Sequence, residues 1–150
     1  MVDFSPARVE KIIKECGWFY FGKDKTICIG DNTVIDSYAT TGTLYAPCDS
    51  CYKGLIFWDY SEEKLEKFVE LLDNVGYTTV GKLNKGVVVF YFNDKETVKK
   101  FTDNLKEEMK KIELDGRVDW QRSCKKHRDL RPELWEDNKT FVGKILEDAY

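Results

Sequence analysis

The residues best suited to chemistry in this chain are three cysteines and its one histidine, arranged as two pairs, Cys48-x-x-Cys51 and Cys124-x-x-His127. Thiolate and imidazole are good zinc donors, and Cys3His is a common tetrahedral zinc shell. Two ligands separated by two residues fit on one tight turn and can point at one ion. Zinc is therefore the expected cofactor, with Cys48, Cys51, Cys124 and His127 as its ligands. Two other readings stay open. The cysteines can be ordinary turn residues, with Cys124 and His127 on a surface segment. Alternatively, the CxxC pair can do thiol redox work, although such pairs usually open a helix, and here a strand is expected to follow.

The second constellation is cationic. Arg122, Lys125, Lys126, Arg128 and Arg131 crowd into ten residues around the Cys124-x-x-His127 pair. Such a cluster can hold phosphates of a nucleic acid or meet an acidic protein; a plain solvated surface is the alternative. The net charge of −3 argues against a nucleic-acid binder that uses its whole surface and leaves only a local basic patch.

These side chains must be positioned by the stretch from Gly54 to Trp120, which reads as strand, helix, strand, strand, helix, strand. Its halves resemble each other. Gly54 and Gly86 stand 32 residues apart, each leading a hydrophobic run. Leu65, Phe68 and Leu72 are each 33 residues from Val98, Phe101 and Leu105. Two such halves in tandem predict an α+β fold with a ferredoxin-like β-α-β-β-α-β core. Strands Leu55–Tyr60 and Val87–Phe92 are expected at its centre and parallel to each other, with Tyr77–Leu83 and Arg117–Trp120 outside them. The first and fourth strands should be antiparallel neighbours, about 4.8 Å apart. Cys51 precedes the first and Cys124 follows the fourth, so both should lie at the same end of the sheet.

Around the core, Ser5-Pro6 begins a helix whose Val9, Ile12, Ile13 and Cys16 form an apolar stripe. Cys16 is expected to pack in the core. Trp18–Phe21, Thr26–Ile29, Val34–Tyr38 and Thr43–Ala46 read as a small antiparallel meander punctuated by turns. A last helix is expected near Asn138–Ala149. The chain is thus divided into residues 1–53 (helix and meander), 54–121 (core) and 122–150 (basic segment and last helix), all in one domain 1–150.

Two short stretches resemble known motifs. Pro47-Cys48-x-x-Cys51 is similar to half of the zinc deaminase signature H-x-E…P-C-x-x-C, but residues 16–47 hold no glutamate to shuttle the proton. Lys85-Gly-Val-Val-Val-Phe-Tyr-Phe92 is similar to the RNP1 strand of an RNA-recognition motif. There Val87 and Val89 stand where aromatic rings would stack on bases, which favours a covered central strand.

Composition sets the frame. With 150 residues, 42% hydrophobic and 34% charged, the chain can bury one core without staples. No apolar run reaches the roughly 18 residues of a membrane span, and the first residues lack the pattern of a signal peptide. A cytoplasmic protein with reduced thiols and no membrane contact is expected, and an odd five cysteines fit that setting. The expected role is a small binding or interaction module, zinc-stabilised, whose basic loop contacts nucleic acid or an acidic protein. A metal- or thiol-dependent enzyme working at the Cys-rich edge, or a metal-free structural or regulatory protein, are the alternatives.

Overall fold

The computed structural model describes residues 2–22 and 52–122. They form an α+β unit with a five-stranded antiparallel sheet and three helices: α1 Pro6–Cys16, β1 Phe19–Phe21, β2 Tyr52–Phe57, α2 Glu62–Val75, β3 Gly81–Leu83, β4 Val87–Phe92, α3 Lys95–Lys111 and β5 Arg117–Arg122. The remaining meander runs and the last helix lie outside the described residues.

Local chemistry sets the helix ends. Ser61 and Asp94 cap α2 and α3, accepting the backbone N–H of Lys64 at 3.1 Å and of Thr97 at 2.9 Å. The Thr97 hydrogen bonds hold the Asp94 carboxyl below its ordinary pKa. Gly17 and Gly76 close α1 and α2 in the left-handed conformation, each N–H reaching back to the last turn. At the start of α1 the Ser5 side chain makes no cap. Instead, Asp3 Oδ1 takes the Ser5 N–H at 3.0 Å, and Arg8 Nη1 donates to the Asp3 carbonyl at 2.7 Å.

The strand order is β1-β3-β4-β2-β5, and every neighbouring pair is antiparallel. β2 and β4 are central as expected, but they run antiparallel, not parallel. The reason lies in the connections. A helix returns the chain from β2 to β3 in the same direction, and the hairpin at residues 84–86 then reverses it into β4. Two tandem halves joined by a hairpin must therefore oppose their leading strands.

Three boundaries also differ. β2 begins at Tyr52, so Gly54 lies inside the strand, and Trp58–Tyr60 run beyond it, bonded to the carbonyls of Gly86 and Lys85. β3 is only Gly81–Leu83 because Tyr77 takes over the edge of β4. Its hydroxyl donates to the Val80 carbonyl at 2.9 Å and accepts the Tyr91 N–H at 3.0 Å. β5 runs two residues further than expected, to Arg122.

Alternation along the strands gives the sheet two faces. Ile56, Val88, Phe90, Leu83, Phe19 and Phe21 meet Leu65, Phe68, Leu105 and Met109 of the helices. Leu55, Val87, Val89 and Tyr91 form a second buried cluster on the other face, with Trp18 and Phe57 packed against it. Val87 is 6% exposed and Val89 0%, so these inner positions of β4 offer bases no stacking surface. On α1 only Val9 is buried, and Cys16 is exposed, contrary to the expected core position. The stripe has turned away from the sheet by the last turn of that helix.

Burial pushes the Tyr77 phenol above its usual pKa. Replacing Tyr77 by Phe leaves the Tyr91 N–H and the Val80 carbonyl without their partner and should cost about 1–3 kcal/mol in urea unfolding. The neutral phenol stabilises the fold fully below the unfolded tyrosine value, 10.0. Above it the unfolded chain loses a proton that the folded one keeps, so stability falls as pH rises. Unfolding free energies measured from pH 8 to 11 should decline above pH 10, and less steeply in Tyr77→Phe.

Candidate functional site

The two ladders of β2 define the end of the sheet from which the Cys-bearing segments leave. Tyr52 pairs with Phe92 on one side and with Arg122 on the other. Cys51 is bonded directly to Tyr52, and Cys124 is two residues beyond Arg122. The points where the chain enters β2 and leaves β5 are thus cross-strand neighbours, which holds both attachment points at one end of the sheet.

That end is built from cations laid on aromatic rings. Arg122 Nη1 donates to the Tyr52 hydroxyl, and its guanidinium carbon lies 5.2 Å from the centroid of the Tyr52 ring. Tyr52 is 7% exposed and packs on Trp120, with 6.2 Å between ring centroids. Lys95, at the start of α3, places its ammonium 5.7 Å from the Trp120 centroid. On the opposite face the Lys53 ammonium lies 5.8 Å from the Tyr91 centroid, and Lys53 is only 3% exposed. Cation–π contacts of this kind gain strength as the cation is desolvated. Three positive charges therefore lie near this end of the sheet, Arg122 and Lys95 on one face and Lys53 on the other, in surroundings that screen them less than water does.

Of the residues expected to act, Arg122 is described, and its setting differs from the expectation. It is the last residue of a strand and is bound to Tyr52; it does not belong to a basic loop. The reason is that β5 matches all six residues of β2 and so continues past Trp120. Cys48, Cys51, Cys124, His127, Lys125, Lys126, Arg128 and Arg131 lie outside the described residues. Among the described residues there is no group of three or more His, Cys, Asp or Glu side chains able to hold a metal, and no helix long and apolar enough to cross a membrane.

Tyr52, Lys53, Lys95 and Trp120 were not legible as site residues. Carrying the two-residue alternation back through Gly54 would have placed Tyr52 and Lys53 on opposite faces of β2. Lys95 and Trp120 come together only through the packing of α3 on β5. Compared with protein-family models, curated proteins and solved structures, the chain matches none of them.

Arg122→Met keeps much of the apolar stem and removes the guanidinium. It should destabilise the fold by about 1–2 kcal/mol in chemical denaturation, from the lost hydrogen bond and ring contact. Amide exchange should quicken at Tyr52 and at position 122 before it does at Ile56 and Val118, further along the same ladder.

Proposed function

We propose that the protein is a small binding module in which Cys48, Cys51, Cys124 and His127 hold a structural zinc ion at the Tyr52–Arg122 end of the sheet. The cations Lys125, Lys126, Arg128 and Arg131 then present a basic surface to nucleic acid or to an acidic protein. The observation that carries this reading is the register Tyr52↔Arg122, which joins the two Cys-bearing segments at neighbouring strand ends. Electrostatics supports it. Zinc held by three thiolates and a neutral imidazole carries one net negative charge, and Lys53, Lys95 and Arg122 nearby would favour thiolates over thiols. Arg122 contributes by tying the basic segment to the sheet.

The same proposal takes residues 54–121 as a ferredoxin-like unit. Its support is the order β3-β4-β2-β5 with helices after β2 and after β4. A cytoplasmic setting, where thiols stay reduced, belongs with this reading.

Metal analysis of the full chain, purified without added metal, tests the zinc site. About one zinc per chain is expected, with loss from Cys51→Ser and from Cys124→Ser. Chelation should lower the melting temperature without unfolding the core, and affinity should weaken as pH falls, because the ligands must lose protons. Metal-free protein that gains no thermal stability from zinc under reducing conditions would overturn the reading. For the basic surface, replacing Lys125, Lys126 and Arg128 together by Ala should weaken binding to a single-stranded oligonucleotide and flatten its salt dependence, since fewer counterions are released. A wild-type chain that binds no oligonucleotide at low salt removes nucleic acid as the partner.

A further inference from the structure

At the opposite end of the sheet, where α3 ends and β5 begins, the surface holds a groove of about 700 Å³. Lys67 of α2 and Lys106 and Lys110 of α3 form its basic wall. Its floor is apolar, set by Met109, Leu114 and Val118, of which Met109 is 3% and Leu114 5% exposed. The turn carrying Glu113 and Asp115 completes the lining and adjoins the lysines, since Glu113 is bonded to Lys67 and to the Lys110 carbonyl.

The lysines differ in their commitments. Lys67 donates to the Glu113 carbonyl at 2.9 Å and lies 3.7 Å from Glu63, so it fixes the turn. Lys106 and Lys110 sit one helical turn apart, both exposed, and neither ammonium has a hydrogen bond or ion pair among the described residues. Glu113 holds φ at 55°, the sole non-glycine residue with positive φ among the described residues. That conformation costs a side-chain-bearing residue energy and is retained where surrounding contacts impose it. Here they are the Lys67 contact and the hydrogen bonds of Glu113 and Leu114 N–H to the Lys110 and Met109 carbonyls, at 3.3 and 3.0 Å. The turn is therefore fixed beside two cations that have no partner among the described residues.

We propose that this groove docks a short acidic peptide segment of a partner protein, with an aliphatic side chain on the apolar floor and flanking carboxylates on Lys106 and Lys110. Charge complementarity selects the partner class. Two ammonium groups with no partner among the described residues, beside an apolar floor, suit carboxylates next to a leucine or valine. Glu113 and Asp115 in the adjoining turn repel a continuous run of phosphates, so a nucleic-acid backbone is disfavoured where separate carboxylates fit. The groove lies at the Phe57–Arg117 end, away from the Tyr52–Arg122 end that carries the zinc proposal, so the two stand or fall separately.

The test is an NMR titration of the full 15N-labelled chain with a synthetic octapeptide of alternating glutamate and leucine. Saturable shifts should centre on the amides of Lys106, Lys110, Leu114 and Val118. Lys106→Gln with Lys110→Gln, which preserves helix propensity, should raise Kd by about fivefold or more. Added salt should weaken the wild-type complex. Glu113→Gln with Asp115→Asn should tighten it, a gain that misfolding cannot produce. Absent or scattered shifts, an unchanged Kd in the double-lysine variant, or tighter binding of an octauridylate to the same amides would overturn the proposal.

Discussion

Everything described here hangs on β2. All six of its residues, Tyr52 to Phe57, are in register with β4 on one edge and with β5 on the other. A strand bonded on both edges and covered on both faces should carry apolar side chains throughout. β2 departs from that rule at Lys53 and Gly54. Gly54 lies under α3: an added Cβ would stand 3.4 Å from Thr102 Cγ2 and 3.5 Å from the Phe92 ring. Lys53 is the costly exception, because an ammonium removed from water must find compensation. The Tyr91 ring supplies part of it, on the strand that Lys53 pairs with.

The second organising feature is the aromatic packing that fixes the β1 edge. β1 and β3 share only three residue pairs, too few to hold an edge by backbone bonds alone. Phe21 makes up the difference. It meets Phe68, Phe90 and Tyr77 in edge-to-face contacts with centroids 5.3, 5.8 and 6.2 Å away. Its ring also covers Gly81, its cross-strand partner, where a Cβ would come within 2.4 Å of Phe21 Cζ. A glycine in a strand normally weakens it; here the absent side chain makes the space that lets the ring seal the edge.

Helices and β4 were legible in the sequence because local signals agree there. Ser61 and Asp94 cap, Gly76 stops a helix, and Val87–Phe92 is an unbroken hydrophobic run between a turn and a cap. The differences have one root: short-range signals point one way where long-range contacts decide. Gly54 looks like a strand opener, yet it is an interior position of β2, paired with Phe90 on one edge and Trp120 on the other. Tyr77–Val80 has the composition of a strand, yet the Tyr77 hydroxyl occupies the hydrogen-bonding sites that a longer β3 would use. Cys16 continues an apolar spacing on α1, but it is exposed there. The relative direction of β2 and β4 was legible in principle, since one helix and one hairpin lie between them. At the candidate site, the pairing of the two strand ends followed from topology, whereas the cation–ring contacts depended on α3 packing against β5 and could not be read from spacing.

The distribution of charge then explains why net charge says little about partners. The chain is acidic overall, yet the Tyr52–Arg122 end gathers Lys53, Lys95 and Arg122 against aromatic rings. Lys95 is placed against helix electrostatics, since a cation in the first turn opposes the positive end of the α3 dipole. The Trp120 face offsets that cost locally, but the dipole and the ammonium still add to one positive potential. At the other end of the same helix, Lys110 and Lys111 agree with the dipole, and Lys111 is paired with Glu108 at 3.0 Å. The unfavourable placement is thus at the Tyr52–Arg122 end of the sheet and the favourable one at the Phe57–Arg117 end, so the fold sets the charge of each end by where α3 starts and stops.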